Sequence, residues 1–275
     1  SAAFSAASVN QAVSGTGTTQ IGGVLTASTG GVTLDAVTVD LNDNLVTSGG
    51  LVTLNASTLV DLATTKSITT TAGANSGTAS GAIDINVSGT GTVNLAGNLV
   101  STGAAHNAAT GSAGGAVSID TNDGTIAVAN ITTDGGAATA GGNSGGAAGT
   151  IGINTGTNNV ITLNASTLSA QGGAPDGAGT RGAGATISFG DPVSLATGGV
   201  TISTGATAGD ISFAQTLNGG QTLGLTAGTG NITFTGVVGG TTPLGAVTIN
   251  AANNVTTSAA FSAASVNQAV SGTGT

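Results

Sequence analysis

The chain has no cysteine, methionine, tryptophan or tyrosine, and glutamate is missing as well. Without cysteine there are neither disulfides nor thiolate metal sites. Five phenylalanines are the only aromatics, which leaves no stacking platform for sugars or bases. Charged residues make up 5% of the chain, against roughly 25% in ordinary soluble domains. Lys66 and Arg181 are the only bases, beside eleven aspartates. Two bases cannot neutralise a phosphate backbone, so nucleic-acid binding is excluded. No run of about 18 apolar residues occurs, so no helical membrane span is expected. No signal or targeting segment is visible. The lack of methionine, together with an opening in mid-phrase, leads us to expect an internal segment of a larger polypeptide.

What is present is glycine, 50 residues of it, among alanine, serine, threonine and short apolar bursts. Such a composition suggests disorder, but disordered chains combine high net charge with few β-branched residues. Here charge is sparse, and Val, Ile and Thr alternate with polar residues. The bursts "GVTLDAVTVDL" (31–41), "GLVTLNASTL" (50–59), "AIDINVS" (82–88), "AVSID" (116–120), "VITLNASTL" (160–168) and "NITFTGVV" (231–238) are typical. Each has a period of two and is fenced by Gly, Asn, Asp or Ser, as strands are. No stretch has a convincing 3.6-residue period. The nearest helix candidate, "SAAFSAASVNQAV", is read as β.

Two kinds of repeat organise the chain. "SAAFSAASVNQAVSGTGT" occupies Ser1–Thr18 and recurs unchanged at Ser258–Thr275, an offset of 257 residues. We read residues 1–275 as one continuous solenoid segment, a single 257-residue tandem repeat plus an 18-residue overlap. Residue 258 is expected to re-enter the winding where residue 1 did. The second repeat is shorter. "GAIDI" begins at Gly81, "GAVSI" at Gly115 and "GTIGI" at Gly149, each 34 residues on, and Ile187 follows Ile151 by 36. This sub-block, 81–189, carries three long loops: "STGAAHNAATGSAGG", "TTDGGAATAGGNSGGAAG" and "SAQGGAPDGAGTRGAGA". Elsewhere the period shortens, to 20 residues from Val32 to Val52 and 24 from Leu223 to Val247.

Periods of about 20 to 35 residues made only of short strands predict a parallel β-solenoid. Ile83 and Ile85, and Val117 and Ile119, should point inward, with Asp84 and Ser118 outward. Phe189, Phe213, Phe234 and Phe261, spaced by 24, 21 and 27 residues, fit an interior stack with one ring per coil. Phrase counting gives 11–12 coils per repeat, a rise of about 55 Å. The long loops leave after the same strand each time. They should stack as a Gly-rich wall, backbone to backbone.

The stretch "GDISFAQTLNGGQTLGLTAGTGNITFTGVVGGTTPLGAVTINAANNVTT" (209–257) resembles the repeats of filamentous-haemagglutinin-like adhesins and giant bacterial β-strand-repeat surface proteins. The resemblance implies a right-handed parallel β-helix, export across the outer membrane and display as a rod on the cell surface.

Nothing in the sequence assembles a catalytic, cofactor or metal site. "GAGTRG" (177–182) has the GxGxxG spacing and "GNSGG" (142–146) the GxSxG spacing. At this glycine content about 1.6 GxGxxG matches arise by chance, and neither stretch lies between a strand and a helix. His106, the only histidine, sits in a Gly/Ala loop without further donors. "DLNDN" (40–44) and "DTNDG" (120–124) crowd oxygens, but lack the remaining ligands of a calcium loop. They are read as Asx-closed turns, and so is Asp176. Lys66 and Arg181 are expected to neutralise nearby carboxylates or carbonyls. A pectin-cleaving site would need clustered acids with bases beside a groove. An ice-binding face would need Thr-x-Thr at one coil position, and its occurrences share no phase. The expected function is therefore structural: a self-stacking unit of a long extracellular or cell-surface filament or stalk. The second hypothesis is an adhesin rod binding a surface or glycan through its loops or a separate tip. Adhesive sites favour aromatics and Arg, which are scarce here.

Overall fold

The computed structural model describes residues 2–11, 16–156, 158–164 and 166–269. Among them every regular element is a β-strand, and one 25-stranded sheet with parallel pairing joins them all. One turn shows why. Val52–Leu62 is a single extended segment in which Val52, Leu54, Val60 and Leu62 are fully buried, while Thr53, Asn55 and Asp61 point outward. Ala56, small enough for a corner, bends the segment so that its two halves lie on two faces. Ser67–Thr69 then forms a third face around buried Ile68. The chain next rises to Ile83, which sits directly over Val52. Each inward residue meets its like in the next turn, so a thin aliphatic core runs the length of the stack.

The pairing continues from level to level on each face, with register shifts only after Leu163↔Leu195 on the second face and Leu225↔Ile249 on the third. On the first face Val9, Val32, Val52, Ile83, Val117 and Ile151 are successive partners, continuing to Ile187, Ile211, Ile232 and Val255. On the second face Thr19, Val39, Val60, Val93, Ile126, Ile161, Val193 and Leu217 lead to Val238 and Phe261. On the third face Phe4, Leu25, Leu45, Ile68, Leu99, Ile131, Leu168, Ile202, Leu225, Ile249 and Gln268 follow one another. The 34- and 36-residue offsets read from the sequence are these register steps. The stack has ten levels on two faces and eleven on the third; over one 257-residue repeat this is nine and two-thirds turns, fewer than the 11–12 coils expected from counting phrases.

Phe189, Phe213 and Phe234 stack as expected. Their ring centroids are 4.9 and 5.2 Å apart and the rings nearly parallel, tilted by 8° and 5°. Phe261 meets Phe234 edge-on, at 5.4 Å and 82°. It does so because it lies on the second face, whereas the other three lie on the first.

The duplicated phrase departs from expectation. Phe4 pairs with Leu25 on the third face and Val9 with Val32 on the first. Their copies Phe261 and Val266 pair with Val238 on the second face and Val247 on the third. The second copy thus enters the winding one face earlier than the first. From Phe4 to Phe261 the chain makes nine full turns and two further faces. The cause is arithmetic: the turns vary in length, and nothing forces their sum to close on a whole turn. Ser1, residues 12–15 and residues 270–275 of the two copies lie outside the described residues.

The corner from third to first face is lined by glycines one above another. A Cβ on Gly50 would strike the carbonyl of Gly30, one on Gly81 that of Gly50, one on Gly115 that of Gly81 and one on Gly149 that of Gly115. The repeated initial glycine of "GAIDI", "GAVSI" and "GTIGI" therefore serves close backbone approach.

Candidate functional site

The three long loops leave and re-enter at that glycine corner. Backbone bonds close their necks, joined in the second loop by a buried hydroxyl. Thr133 Oγ1 donates to Gly149 O at 2.6 Å, and Gly149 N donates back to Thr133 O at 2.8 Å. Thr70 and Gly81 make the same pair at the shorter loop one turn below the three, at 2.6 and 3.2 Å, whereas the third long loop closes by backbone alone, Ala185 N to Ala170 O at 2.9 Å. Gly115 N donates to Ser101 O at 2.9 Å, but the Ser101 hydroxyl turns to Gly81 O instead. Each buried oxygen here has a partner, as the cost of leaving one unpaired requires.

Beyond the necks the loops stack into a two-layered slab. Outgoing arms bond upward through Gly103 N to Asp134 O and His106 N to Ala137 O, then Gly135 N to Gln171 O and Ala138 N to Ala174 O. Returning arms do the same through Gly111 N to Ser144 O and Gly114 N to Ala147 O, then Gly145 N to Thr180 O and Ala148 N to Ala183 O. Upward donors recur every third residue, the period of a polyproline II helix. Other donors cross between the layers: Gly136 N to Ser112 O, Gly146 N to Gly136 O, Gly173 N to Gly146 O and Gly182 N to Gly173 O, all 2.8–3.0 Å. A lone polyproline II segment leaves its backbone to water; here neighbouring arms supply the acceptors. Side chains cannot fit between the layers. A Cβ on Gly103 would collide with Ser112 O, on Gly145 with Gly173 O and on Gly182 with Gly146 O. Only at the tips do glycines serve positive φ, as at Gly141, Gly142 and Gly177. The Ser112 hydroxyl is the one buried side-chain polar atom without a partner among the described residues.

The slab absorbs both glycine motifs. In "GAGTRG", Gly177 makes a tip turn, and Gly179 and Gly182 face the backbone of the loop below. In "GNSGG", Ser144 Oγ lies 3.0 Å from Thr180 Oγ1 of the next loop, with no histidine near it in these contacts. His106 is an arm residue whose Nδ1 accepts from Ala108 N at 3.1 Å.

The acidic residues act as struts between turns, a role the sequence reading missed. Asp40 accepts from Gln20 Nε2 one turn below, at 2.7 Å, and from Asn42 Nδ2 at 2.8 Å. Asn94 Nδ2 donates to Asp61 at 2.6 Å, and Asn159 Nδ2 to Asp123 at 3.0 Å. Asp191, almost fully buried, accepts from Thr155 N at 2.6 Å and Asn158 N at 3.0 Å. Asp176 turns the third loop tip and accepts from Gly142 N. The signal was available in register: Asp or Asn recurs at the same outward position of adjacent turns.

Lys66 pairs with a carboxylate and Arg181 with a backbone carbonyl. Lys66 Nζ lies 3.1 Å from Asp43 Oδ1, and Arg181 Nη1 donates to Gly172 O at 3.0 Å. The Asn44 N–H first, then Lys66, holds the Asp43 carboxyl below the usual aspartate range. No group of three or more His, Cys, Asp or Glu among the described residues could hold a metal. A concavity of about 540 Å³ lies along the corner of first and second faces, lined by Asp35, Asn55, Ser57, Asn86 and Ser88. It offers hydroxyls, amides and one carboxylate, without a base to pair with it.

The chain matches no family model, no curated protein and no solved structure. Among the described residues no helix is long and apolar enough to cross a membrane.

Proposed function

We propose that this chain is the repeat unit of a long structural filament displayed outside the cell, with the slab as its lateral surface. One observation carries the reading. The same phrase stands at both open ends of the stack, pairing upward in one copy and downward in the other. A stack whose ends complete each other grows without limit and exposes sheet edges only at its two tips. Function then lies in length and stiffness. The resemblance to haemagglutinin-like surface repeats supports placement on the cell surface. The adhesive alternative has less to stand on, since Phe4 is the only strongly exposed aromatic and it sits at an open end.

Electron microscopy of polypeptides with one, two and four consecutive repeats tests the filament. The expected outcome is unbranched rods lengthening by about 46 Å per repeat, from nine and two-thirds turns at the strand spacing. Particles whose length does not scale with repeat number would overturn it. Antibody to the slab on intact source cells tests the placement: labelling supports display outside, and labelling only after lysis refutes it.

A further inference from the structure

The two copies of the phrase use opposite edges of the same strands. In the first copy Phe4 N donates up to Val24 O at 2.8 Å and Val9 N up to Gly31 O at 3.1 Å. In the second, Ser262 N donates down to Val238 O and Ala269 N down to Ile249 O, both at 2.9 Å. Successive residues of a parallel strand turn their peptide groups to opposite neighbours. The upward set (Phe4, Val9) and the downward set (Ser262, Ala269) therefore do not compete. A single phrase can make both at once, on one condition. Val238 then lies under the phenylalanine and the next copy's Leu25 over it; Val247 lies under the valine and the next copy's Val32 over it. Second face is followed by third, and third by first.

We propose that this phrase is the junction between successive copies and that each junction turns the next copy by one face, a third of a turn. The proposal rests on the filament reading above. Its occupant is specified. The open lower end is a hollow of about 380 Å³ that includes Phe4, Val9, Ile21 and Leu25 in its lining. Phe4 is 56% exposed there. The turn containing Val238, Val247 and Ile249 of the preceding copy covers it. Within this chain that turn is already seated under the phrase, with all three residues buried. A second phrase shows that sequence need not dictate the face. "TLNASTL" bridges the first and second faces at 53–59, and the second and third at 162–168. The slabs of successive copies consequently leave the rod from successive corners. They return to the first direction after three copies, so lateral contacts are presented on three sides.

The test is a chain of at least four consecutive copies carrying Ala140→Cys at each exposed slab tip, labelled with maleimide-gold and imaged frozen. The expected result is marks about 46 Å apart along the rod, each displaced around it by a third of a turn. Rods with every mark along one side would overturn the inference while leaving the filament intact. Material without rods would overturn the filament reading, and the inference with it.

Discussion

Thr133 and Gly149 hold each other twice, hydroxyl to carbonyl and amide to carbonyl, across the neck of the second long loop. The Thr133 side chain is fully buried, so the hydroxyl has no water to fall back on. Thr133→Val is expected to destabilise the chain by about 1–3 kcal/mol, the cost of a buried acceptor left unpaired. Thr133→Ser should lose much less. Denaturant midpoints measure the difference. Hydrogen exchange at the Gly149 amide should accelerate in the valine variant only.

Gly145→Ala tests the slab. The new methyl meets the carbonyl of Gly173, which belongs to backbone and cannot swing away. The slab should open, and the Gly136, Gly146 and Gly173 amides lose exchange protection, while Ile119 and Ile153 in the core keep theirs. Gly73→Ala is the control, because nothing lies within 4 Å of a Cβ there. It should leave protection unchanged and stability within a few tenths of a kcal/mol or slightly raised.

Ser112→Ala should stabilise. The buried Ser112 hydroxyl has no partner, whereas its carbonyl accepts from Gly136 N at 2.8 Å and would be untouched. Relieving an unpaired buried hydroxyl is worth about 1 kcal/mol. A higher denaturant midpoint for the alanine variant is the expected reading.

The Asp43 carboxyl, held below the usual aspartate range, adds stability at pH values above the range where it would titrate unfolded. That contribution is lost as pH falls through its folded value. In a carboxyl-detected titration Asp43 should protonate below the usual aspartate range. Lys66→Met should move it upward only in part, because the Asn44 N–H bond, the larger cause, remains.

Much of this was legible from the residues. Val32, Val52, Ile83, Val117 and Ile151 announce themselves by alternation, and their spacings are register steps because parallel stacking makes like meet like. The slab could be foreseen, since loops leaving after the same strand must pile up and Gly-Gly pairs invite backbone contact. The short third-face strands such as Leu45–Thr47 and Ser67–Thr69 were not legible. Each buries one or two residues, too few for a period to show. The face taken by the duplicated phrase was hidden too. It depends on the summed length of all the intervening turns, not on any residue in the phrase. Asp40 and Asp123 read as turn residues because their partners Gln20 and Asn159 lie a full turn away in sequence.

The central claim is that turns stack in parallel, each residue over its like, and paired cysteines test it most directly in a chain with none of its own. Ser188, Ser212 and Thr233 are outward partners on three consecutive turns. Adjacent positions are about 4.8 Å apart, inside the range a disulfide spans, and positions two turns apart are about twice that. Ser188→Cys with Ser212→Cys should cross-link under mild oxidation, and Ser188→Cys with Thr233→Cys should not. A cross-link in the second pair without the first would contradict the parallel stack.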